Sequence, residues 1–194
     1  MTKVRKIVFA TNNQNKIREI KEIIGDKIEI VSLKDIGCDE DLPETADTIA
    51  GNALMKARYV SEKYGYDCFA DDTGLEVKAL GGAPGVHTAR YAPGTSHDSD
   101  ANVSYLLENM QNVEDRRARF VTVIALIENG KEKLFEGVCP GTISRERMGT
   151  NGFGYDPVFV PEGCELSFAR MSADDKNEIS HRGRAVRQLV EYLK

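Results

Sequence analysis

The chain has 194 residues and a net charge of −5, with 41% of its residues hydrophobic and 29% charged. This length suits one domain, or two lobes that share a core, and the composition is that of an ordinary globular protein. The acidic balance argues against broad binding to nucleic acid, which needs a basic face, but it leaves room for a local pocket that binds a phosphorylated small molecule.

Hydrophobic periodicity and turn residues predict the following elements in chain order. The first part contains a strand at 4–10, a polar loop, a helix ending at Gly25, a strand at 28–33 and an amphipathic helix from Ile49 to Gly65. The middle contains a strand at 68–71, a bend at Thr73-Gly74, a second strand at 74–80, a loop at 81–99 and a helix around 103–110. The last part contains a strand at 118–128, a hairpin turn at Asn129-Gly130, strands at 133–138 and 141–145, and a final helix. Early strand–helix alternation followed by hairpins predicts an α/β fold with a mixed sheet flanked by helices.

Cysteine usage and hydropathy indicate the compartment. The four cysteines form no Cys-x-x-Cys pair and only three histidines are present, which argues against a structural zinc site and favours free thiols in a reducing cytosol. The apolar run at 7–10 is too short for a signal-peptide core, and no stretch approaches the length of a membrane span. We therefore predict a cytoplasmic protein that binds no membrane.

A polar loop separates the first predicted strand from the first helix. Its residues are Thr11, Asn12, Asn13, Gln14, Asn15 and Lys16. A helix N-terminus exposes N–H groups and a positive dipole end, so the loop suits an anion, and Lys16 adds a charge. It is not a Walker loop, because the glycines and the following Ser or Thr are missing. Taken singly, the loop is explained more simply as a polar capping loop with a surface lysine.

Two acidic positions are candidate metal ligands. Asp71 and Asp72 close an apolar strand, and because adjacent strand residues point to opposite faces, only one of them is expected to face a given site. A carboxylate at a strand end suits magnesium and can orient water. Without further context, an acidic turn that enters a hairpin explains Asp71 and Asp72 about equally well. Glu44 precedes the long helix, where an acid also stabilises the helix N-terminus.

The run Gly152-Phe153-Gly154-Tyr155-Asp156-Pro157 is typical of a loop that lets an aromatic ring approach a flat ligand. Lys176 and the segment Ser180-His181-Arg182 follow it, and they supply donors suited to phosphate or a carbonyl oxygen. Together these residues indicate a purine pocket. Each feature alone has a simpler explanation. The loop is then a Gly-rich hairpin with one core Phe, and Lys176 or Arg182 is a solvated charge. His181 is then a residue at a helix start that hydrogen-bonds the backbone.

Taken in order, these segments resemble the inosine triphosphate pyrophosphatase family, also called dITP/XTP diphosphatases. The matching motifs run through nearly the whole chain: Thr11 to Lys16, Glu44-Thr45, Ala70 to Leu75, Gly81 to Gly85, Gly152 to Pro157, Lys176, and Ser180 to Gly183. Three positions depart from the family pattern. Thr73 stands where Ser is commoner, Asn151 replaces a frequent Gly, and His87 replaces a usual Tyr.

The resemblance implies one domain over residues 1–194 that hydrolyses ITP, dITP and XTP to the monophosphate and pyrophosphate and so cleanses the nucleotide pool. It implies Mg²⁺ as cofactor, a purine nucleoside triphosphate as substrate, and a homodimer. The implied fold is an elongated mixed sheet with two lobes around a central nucleotide cleft.

The resemblance also implies residue roles. Glu44 and Asp72 would hold Mg²⁺, and Asp72 would accept a proton from the attacking water. Phe153 would stack on the base, and His181 and Arg182 would donate to its 6-keto oxygen. The residues implied to contact the triphosphate or another part of the substrate are Thr11, Asn12, Asn13, Gln14, Asn15, Lys16, Thr73, Gly154, Tyr155, Asp156 and Lys176.

Two alternatives stay open at this point. A pyrophosphatase of related fold that acts on pyrimidine or other modified nucleotides is disfavoured by the motifs around Phe153 and His181. A non-catalytic nucleotide-binding module would not need Glu44 and Asp72 as a metal pair.

Overall fold

A computed structural model describes residues 4–194. Its strands are β1 (Arg5–Phe9), β2 (Ile28–Val31), β3 (Cys68–Val77), β4 (Arg117–Glu128), β5 (Lys131–Ile143) and β6 (Phe159–Pro161). Its α-helices are α1 (Gln14–Ile24), α2 (Ile49–Tyr64), α3 (Ser99–Asn109), α4 (Ala173–Ile179) and α5 (His181–Leu193). The strands form one sheet in the order β2-β1-β3-β4-β5-β6. β1 is parallel to β2 and β3, and β5 is antiparallel to β6. The predicted α/β class with a mixed sheet flanked by helices is confirmed.

The described residues divide into two compact units. Unit 1 contains the chain up to Asp72 together with Thr122–Gly137 and Arg182–Lys194. Unit 2 contains Thr73–Val121 and Val138–His181. The assignment of residues 1–194 to a single domain stays a prediction.

Each unit has its own apolar core. In unit 1, the rings of Phe9 and Phe69 on neighbouring strands stack with centroids 4.6 Å apart. The isoleucines of α1 and the apolar face of α5 belong to the same cluster, as their helical spacing predicts. In unit 2, Phe120 lies 4.6 Å from Phe159 and 6.2 Å from Phe168 between ring centroids. These cores fix the strand ends and helix starts that carry the candidate site residues.

Local capping explains the bounds of α2, which the sequence predicted correctly. The side chain of Thr48 accepts a hydrogen bond from the Gly51 N–H at the helix start. Gly65 ends the helix with φ 73°, a left-handed conformation that glycine adopts without steric cost. The hairpin turn is also confirmed, because Asn129 and Gly130 both have positive φ between β4 and β5.

Three details differ from the predicted elements. The bend at Thr73-Gly74 is wrong, because β3 runs without a break from Cys68 to Val77. Thr is a good strand former, and Gly74 is not among the glycines with positive φ, so neither residue interrupts the strand. The separate strand at 141–145 is the end of β5, and the short elements β6 and α4 were not predicted. Within residues 4–194, no helix is long and apolar enough to cross a membrane.

Candidate active site

The polar loop at residues 11–16 leads from β1 into α1 in unit 1. Asn13 caps α1, and its Oδ1 atom accepts hydrogen bonds from the N–H groups of Asn15 (3.0 Å) and Lys16 (3.2 Å). The Thr11 hydroxyl oxygen accepts from the Asn13 N–H at 3.1 Å. The loop therefore caps the N-terminus of α1, as the simpler interpretation of its sequence predicted. Phosphate binding by residues 11–16 stays a prediction.

Lys16 turns inward from the start of α1 towards β3. Its Nζ atom lies 3.0 Å from Oδ1 of Asp71, and the Asp71 side chain is fully buried. Burial by itself raises the pKa of Asp71, but Lys16, Arg182 and Lys56 outweigh burial and lower it to about 2. Burial lowers the pKa of Lys16 more than Asp71 raises it. Lys16 is therefore a partner of a buried carboxylate, not a solvated surface charge.

Asp72, the next residue, belongs to a different cluster that the buried ammonium of Lys56 organises. The Nζ atom of Lys56 lies 2.7 Å from Oε1 of Glu44 and 3.9 Å from Oδ1 of Asp72, and it also donates to the Asp71 carbonyl oxygen at 2.7 Å. Burial alone lowers the pKa of Lys56, but the carboxylates of Asp72, Asp71 and Glu44 together outweigh burial and raise it. The structure therefore brings the two predicted metal ligands, Glu44 and Asp72, to the same lysine ammonium.

The environment of Asp72 suits proton transfer. Burial is the largest effect on this carboxyl group and raises its pKa despite the attraction of Lys56. A carboxylate with a raised pKa is a stronger base. Asp71 shows the opposite behaviour one residue away, so the two neighbouring acids are chemically distinct.

Among the described residues, no group of three or more His, Cys, Asp or Glu side chains forms a ready-made metal cage. Magnesium at phosphate-binding sites is usually held by one or two carboxylates together with substrate phosphates and water. The pair Glu44 and Asp72, already gathered on one ammonium, fits that donor set.

Arg182 lies at the start of α5 and is almost completely buried in unit 1. Its Nη1 atom lies 2.6 Å from Oε2 of Glu19, and its Nε atom lies 3.4 Å from Oδ2 of Asp71. The interpretation as a solvated charge is therefore wrong. Donation by Arg182 to a base oxygen stays a prediction.

Lys56 and Glu19 are buried charged residues that were not predicted as site residues. Lys56 lies on the apolar face of α2, between Ala53 and Ala57. Glu19 lies one turn after Lys16 on α1, beside buried Ile20. A charged residue at an apolar helical position was the available signal.

The Phe153 loop belongs to unit 2. Oδ2 of Asp156 accepts from the Phe153 N–H (3.0 Å) and from Nζ of Lys176 (2.6 Å), and Asp156 and Lys176 are both buried. A Cβ atom on Gly152 would lie only 2.0 Å from Oδ2 of Asp156, so this close approach requires glycine. Gly154 has φ 61° and also needs the left-handed region.

Lys176 lies beside the predicted stacking ring. Its Nζ atom is 5.0 Å from the centroid of the Phe153 ring and 5.6 Å from that of Phe168. Its buried partner is Asp156, so Lys176 is not the solvated charge that a lone lysine suggests. The triphosphate contact assigned to it stays a prediction.

The remaining predicted residues of unit 2 are held by the protein itself. The Tyr155 hydroxyl donates to the Thr88 carbonyl oxygen at 2.6 Å. The His181 ring stacks on Phe120 with centroids 4.5 Å apart and an interplanar angle of 16°. Thr73 is half-buried on β3 directly after Asp72. Their roles towards a substrate stay predictions.

Comparisons with known proteins agree on one family. The sequence model of the Ham1 family matches residues 7–192. The dITP/XTP pyrophosphatase of Christiangramia forsetii is 57% identical over 188 residues, which cover 97% of this chain and 98% of that protein. The dITP/XTP pyrophosphatase of Porphyromonas gingivalis is 57% identical over 191 residues, covering 98% of each chain. The structure of a HAM1 protein from Coxiella burnetii superimposes with a TM-score of 0.88 at 37% identity, again covering 98% of each chain.

Proposed function

The chain belongs to the Ham1 family, and from that premise we propose that it hydrolyses non-standard purine nucleoside triphosphates to the monophosphate and pyrophosphate. The resemblance drawn from the motifs is confirmed by the near full-length relatives. The proposed substrates are dITP, ITP and XTP, and the cellular consequence is removal of these nucleotides from the pool used for nucleic-acid synthesis.

The observation that carries the proposal is the cluster around Lys56. A single buried ammonium gathers Glu44 and Asp72, two residues separated by 28 positions of the chain, and this supports a role for the pair as ligands of a divalent cation. Glu44 and Asp72 are proposed to hold Mg²⁺, which when bound neutralises negative charge on the phosphates.

Asp72 is the proposed general base. It accepts a proton from the water that attacks phosphorus, the phosphoanhydride bond breaks, and pyrophosphate leaves with the bonding electron pair. Burial supports this role because it raises the pKa of Asp72. Lys16 and Lys56 surround Asp71 and Asp72 with positive charge, which suits a substrate that carries several negative charges.

Residues 11–16 with Lys16 and Lys176 are the proposed triphosphate contacts, together with the Thr73 hydroxyl. Phe153 is the proposed stacking surface for the base, supported by its placement on a loop that Asp156 and Gly152 hold in a fixed conformation. Gly154, Tyr155 and Asp156 shape this loop.

His181 and Arg182 are the proposed donors to the 6-keto oxygen of the base. The guanidinium of Arg182 is a rigid fork of donors, and its contacts with Glu19 and Asp71 fix its orientation. The stacked ring of His181 is equally fixed. Fixed donors favour a keto oxygen over the amino group of adenine.

A homodimer in the cytoplasm is also proposed. The four cysteines are free thiols, as expected in a reducing compartment. Sedimentation of the purified protein tests the dimer.

Pyrophosphate release from a panel of nucleoside triphosphates, with and without Mg²⁺, tests the proposed activity. A preference for pyrimidine nucleotides would favour a related pyrophosphatase of different specificity. Binding of ITP without turnover would favour a non-catalytic module.

A further inference from the structure

The segment before α2, residues 40–48, lies folded back along that helix. The Ala46 N–H donates to Oδ1 of Asn52 at 2.9 Å, in the first turn of α2. Glu44 contacts Lys56 one turn further along the helix. Residues earlier in the segment therefore contact residues later in α2, so the segment runs antiparallel to the helix.

Glu40 makes the contact at the far end of this series. Its carboxylate accepts hydrogen bonds from the Tyr59 hydroxyl, from Nζ of Lys63 at 2.5 Å and from the Tyr64 hydroxyl at 2.6 Å. The Lys63 ammonium also lies over the rings of Tyr59 and Tyr64, with its Nζ atom 5.5 and 5.7 Å from the two ring centroids. We call these four residues the Glu40 clasp. Three donors from one helix hold a single carboxylate.

The clasp and Glu44 are separated by only three residues, Asp41, Leu42 and Pro43. Pro43 fixes its own φ and restricts the residue before it, so this link has few soft dihedral angles. A short link with restricted dihedral angles suits transmission of a displacement from Glu40 to Glu44. On the other side of Glu44, Ala46 is held by Asn52 and lies close to Gly51, where an added Cβ atom would lie 2.8 Å from the Cβ atom of Ala46.

We propose that the Glu40 clasp is a positioning device that holds Glu44 beside Lys56 and thereby sets the affinity of Glu44 and Asp72 for a divalent cation. This inference rests on the proposed function, in which Glu44 and Asp72 bind Mg²⁺. Glu40 is not one of the proposed metal ligands or substrate contacts.

The hydrogen bonds from the Tyr59 and Tyr64 hydroxyls to Glu40 are partly buried, so replacing Glu40 changes thermal unfolding whether its role is structural or positioning. A purely structural role predicts that metal affinity stays unchanged. A positioning role predicts a change in metal affinity. Supporting groups around a metal ligand typically alter affinity by roughly 10- to 100-fold when removed.

Glu40→Gln keeps the size of the side chain and removes its charge. The matched control is Glu132→Gln, because Glu132 also pairs with a cation of α2, Arg58, and its side chain is similarly exposed (39% against 36% for Glu40). Tyr64→Phe is a milder second variant that removes one donor and keeps the ring.

Mn²⁺ binding is measured by electron paramagnetic resonance without nucleotide, and amide hydrogen exchange of residues 41–48 is measured without metal. Glu40→Gln is expected to raise the Mn²⁺ dissociation constant about tenfold and to speed exchange in the segment. Tyr64→Phe is expected to raise the Mn²⁺ dissociation constant and the exchange rate by smaller factors. Glu132→Gln is expected to leave the dissociation constant and the exchange rate unchanged. In turnover assays, the Mg²⁺ concentration for half-maximal activity should rise by a larger factor than kcat falls.

Unchanged Mn²⁺ affinity in Glu40→Gln and Tyr64→Phe, beside a wild-type protein that binds Mn²⁺ and releases pyrophosphate, would overturn the clasp alone. A wild-type protein that neither binds Mn²⁺ nor releases pyrophosphate would overturn the proposed function and this inference together.

Discussion

The buried ammonium of Lys56 lies 2.7 Å from a carboxylate oxygen of Glu44, whose side chain is partly exposed. The same ammonium lies 3.9 Å from Asp72, so it holds two like charges together. An arrangement of this kind keeps two carboxylates close before a divalent cation arrives, because the ammonium offsets their mutual repulsion.

Replacing Lys56 by Met should therefore separate two effects. The variant should lose about 1–3 kcal/mol of stability, because two partly buried carboxylates and the Asp71 carbonyl oxygen lose their common partner. Mg²⁺ should raise the thermal unfolding temperature of the variant more than that of the wild type, because it supplies the missing positive charge.

Differential scanning fluorimetry with a magnesium titration measures both effects. Arg58→Met is the control, since Arg58 is an exposed cation on the same helix whose partner is Glu132. An equal response of Lys56→Met and wild type to Mg²⁺ would show that Lys56 does not mark the metal site.

Asp72→Asn should remove most of kcat while the protein stays folded. The amide is nearly isosteric, but it does not accept the proton and binds magnesium poorly. Loss of a general base alone typically costs ~10²–10⁴-fold. Single-turnover kinetics with ITP at saturating Mg²⁺ measure the loss. Retention of near wild-type kcat in a folded Asp72→Asn protein would remove Asp72 from the catalytic role.

Asp71→Asn should act chiefly on stability, and its effect should depend on pH. The pKa of Asp71 in the folded protein is about 2, below its ordinary value of 3.8, because Lys16, Arg182 and Lys56 outweigh burial. A lowered folded-state pKa contributes stability above the unfolded pKa, and that contribution is lost as the pH falls towards the folded value.

The difference in unfolding free energy between wild type and Asp71→Asn should therefore narrow by about 1 kcal/mol between about pH 5 and about pH 3. Urea unfolding at the two pH values measures it. A difference that stays constant or widens on acidification would contradict the assignment of Asp71 as a charged partner of Lys16 and Arg182.

Arg182→Ala should narrow the preference for ITP over ATP by at least about tenfold, since a donor matched to a keto oxygen rejects an amino group. Phe153→Ala should weaken all purines similarly, by about 1–3 kcal/mol, because stacking does not depend on the 6-substituent. Ratios of kcat/KM on ITP, ATP and GTP, measured within each variant, are independent of the fraction that is folded. An Arg182→Ala enzyme with undiminished ITP/ATP selectivity would refute the role given to Arg182.

The sequence predicted elements whose signals are local. Helix α2 was placed from Ile49 to Gly65 because its apolar face and its terminal glycine lie within the segment itself. The continuity of β3 through Thr73 and Gly74 was missed, since pairing with other strands decides whether a Gly interrupts a strand.

The site shows the same division. The motifs predicted Glu44 and Asp72 as a pair by their residue types, and the structure brings both side chains to the Lys56 ammonium. Lys56 and Glu19 were missed because each is explained only by a partner elsewhere in the chain, and Glu19 meets Arg182 across 163 residues. The place of each residue on an apolar helical face is a local signal, but the partner that explains its burial depends on tertiary structure.

Pyrophosphate release from ITP, dITP, XTP, ATP, GTP and CTP, each with Mg²⁺ and with chelator, measures the proposed hydrolysis of non-standard purine nucleotides. We expect equal amounts of monophosphate and pyrophosphate from ITP, dITP and XTP, little product from ATP and CTP, and no turnover in chelator. Full activity in chelator, or a preference for ATP or CTP over ITP, would contradict it.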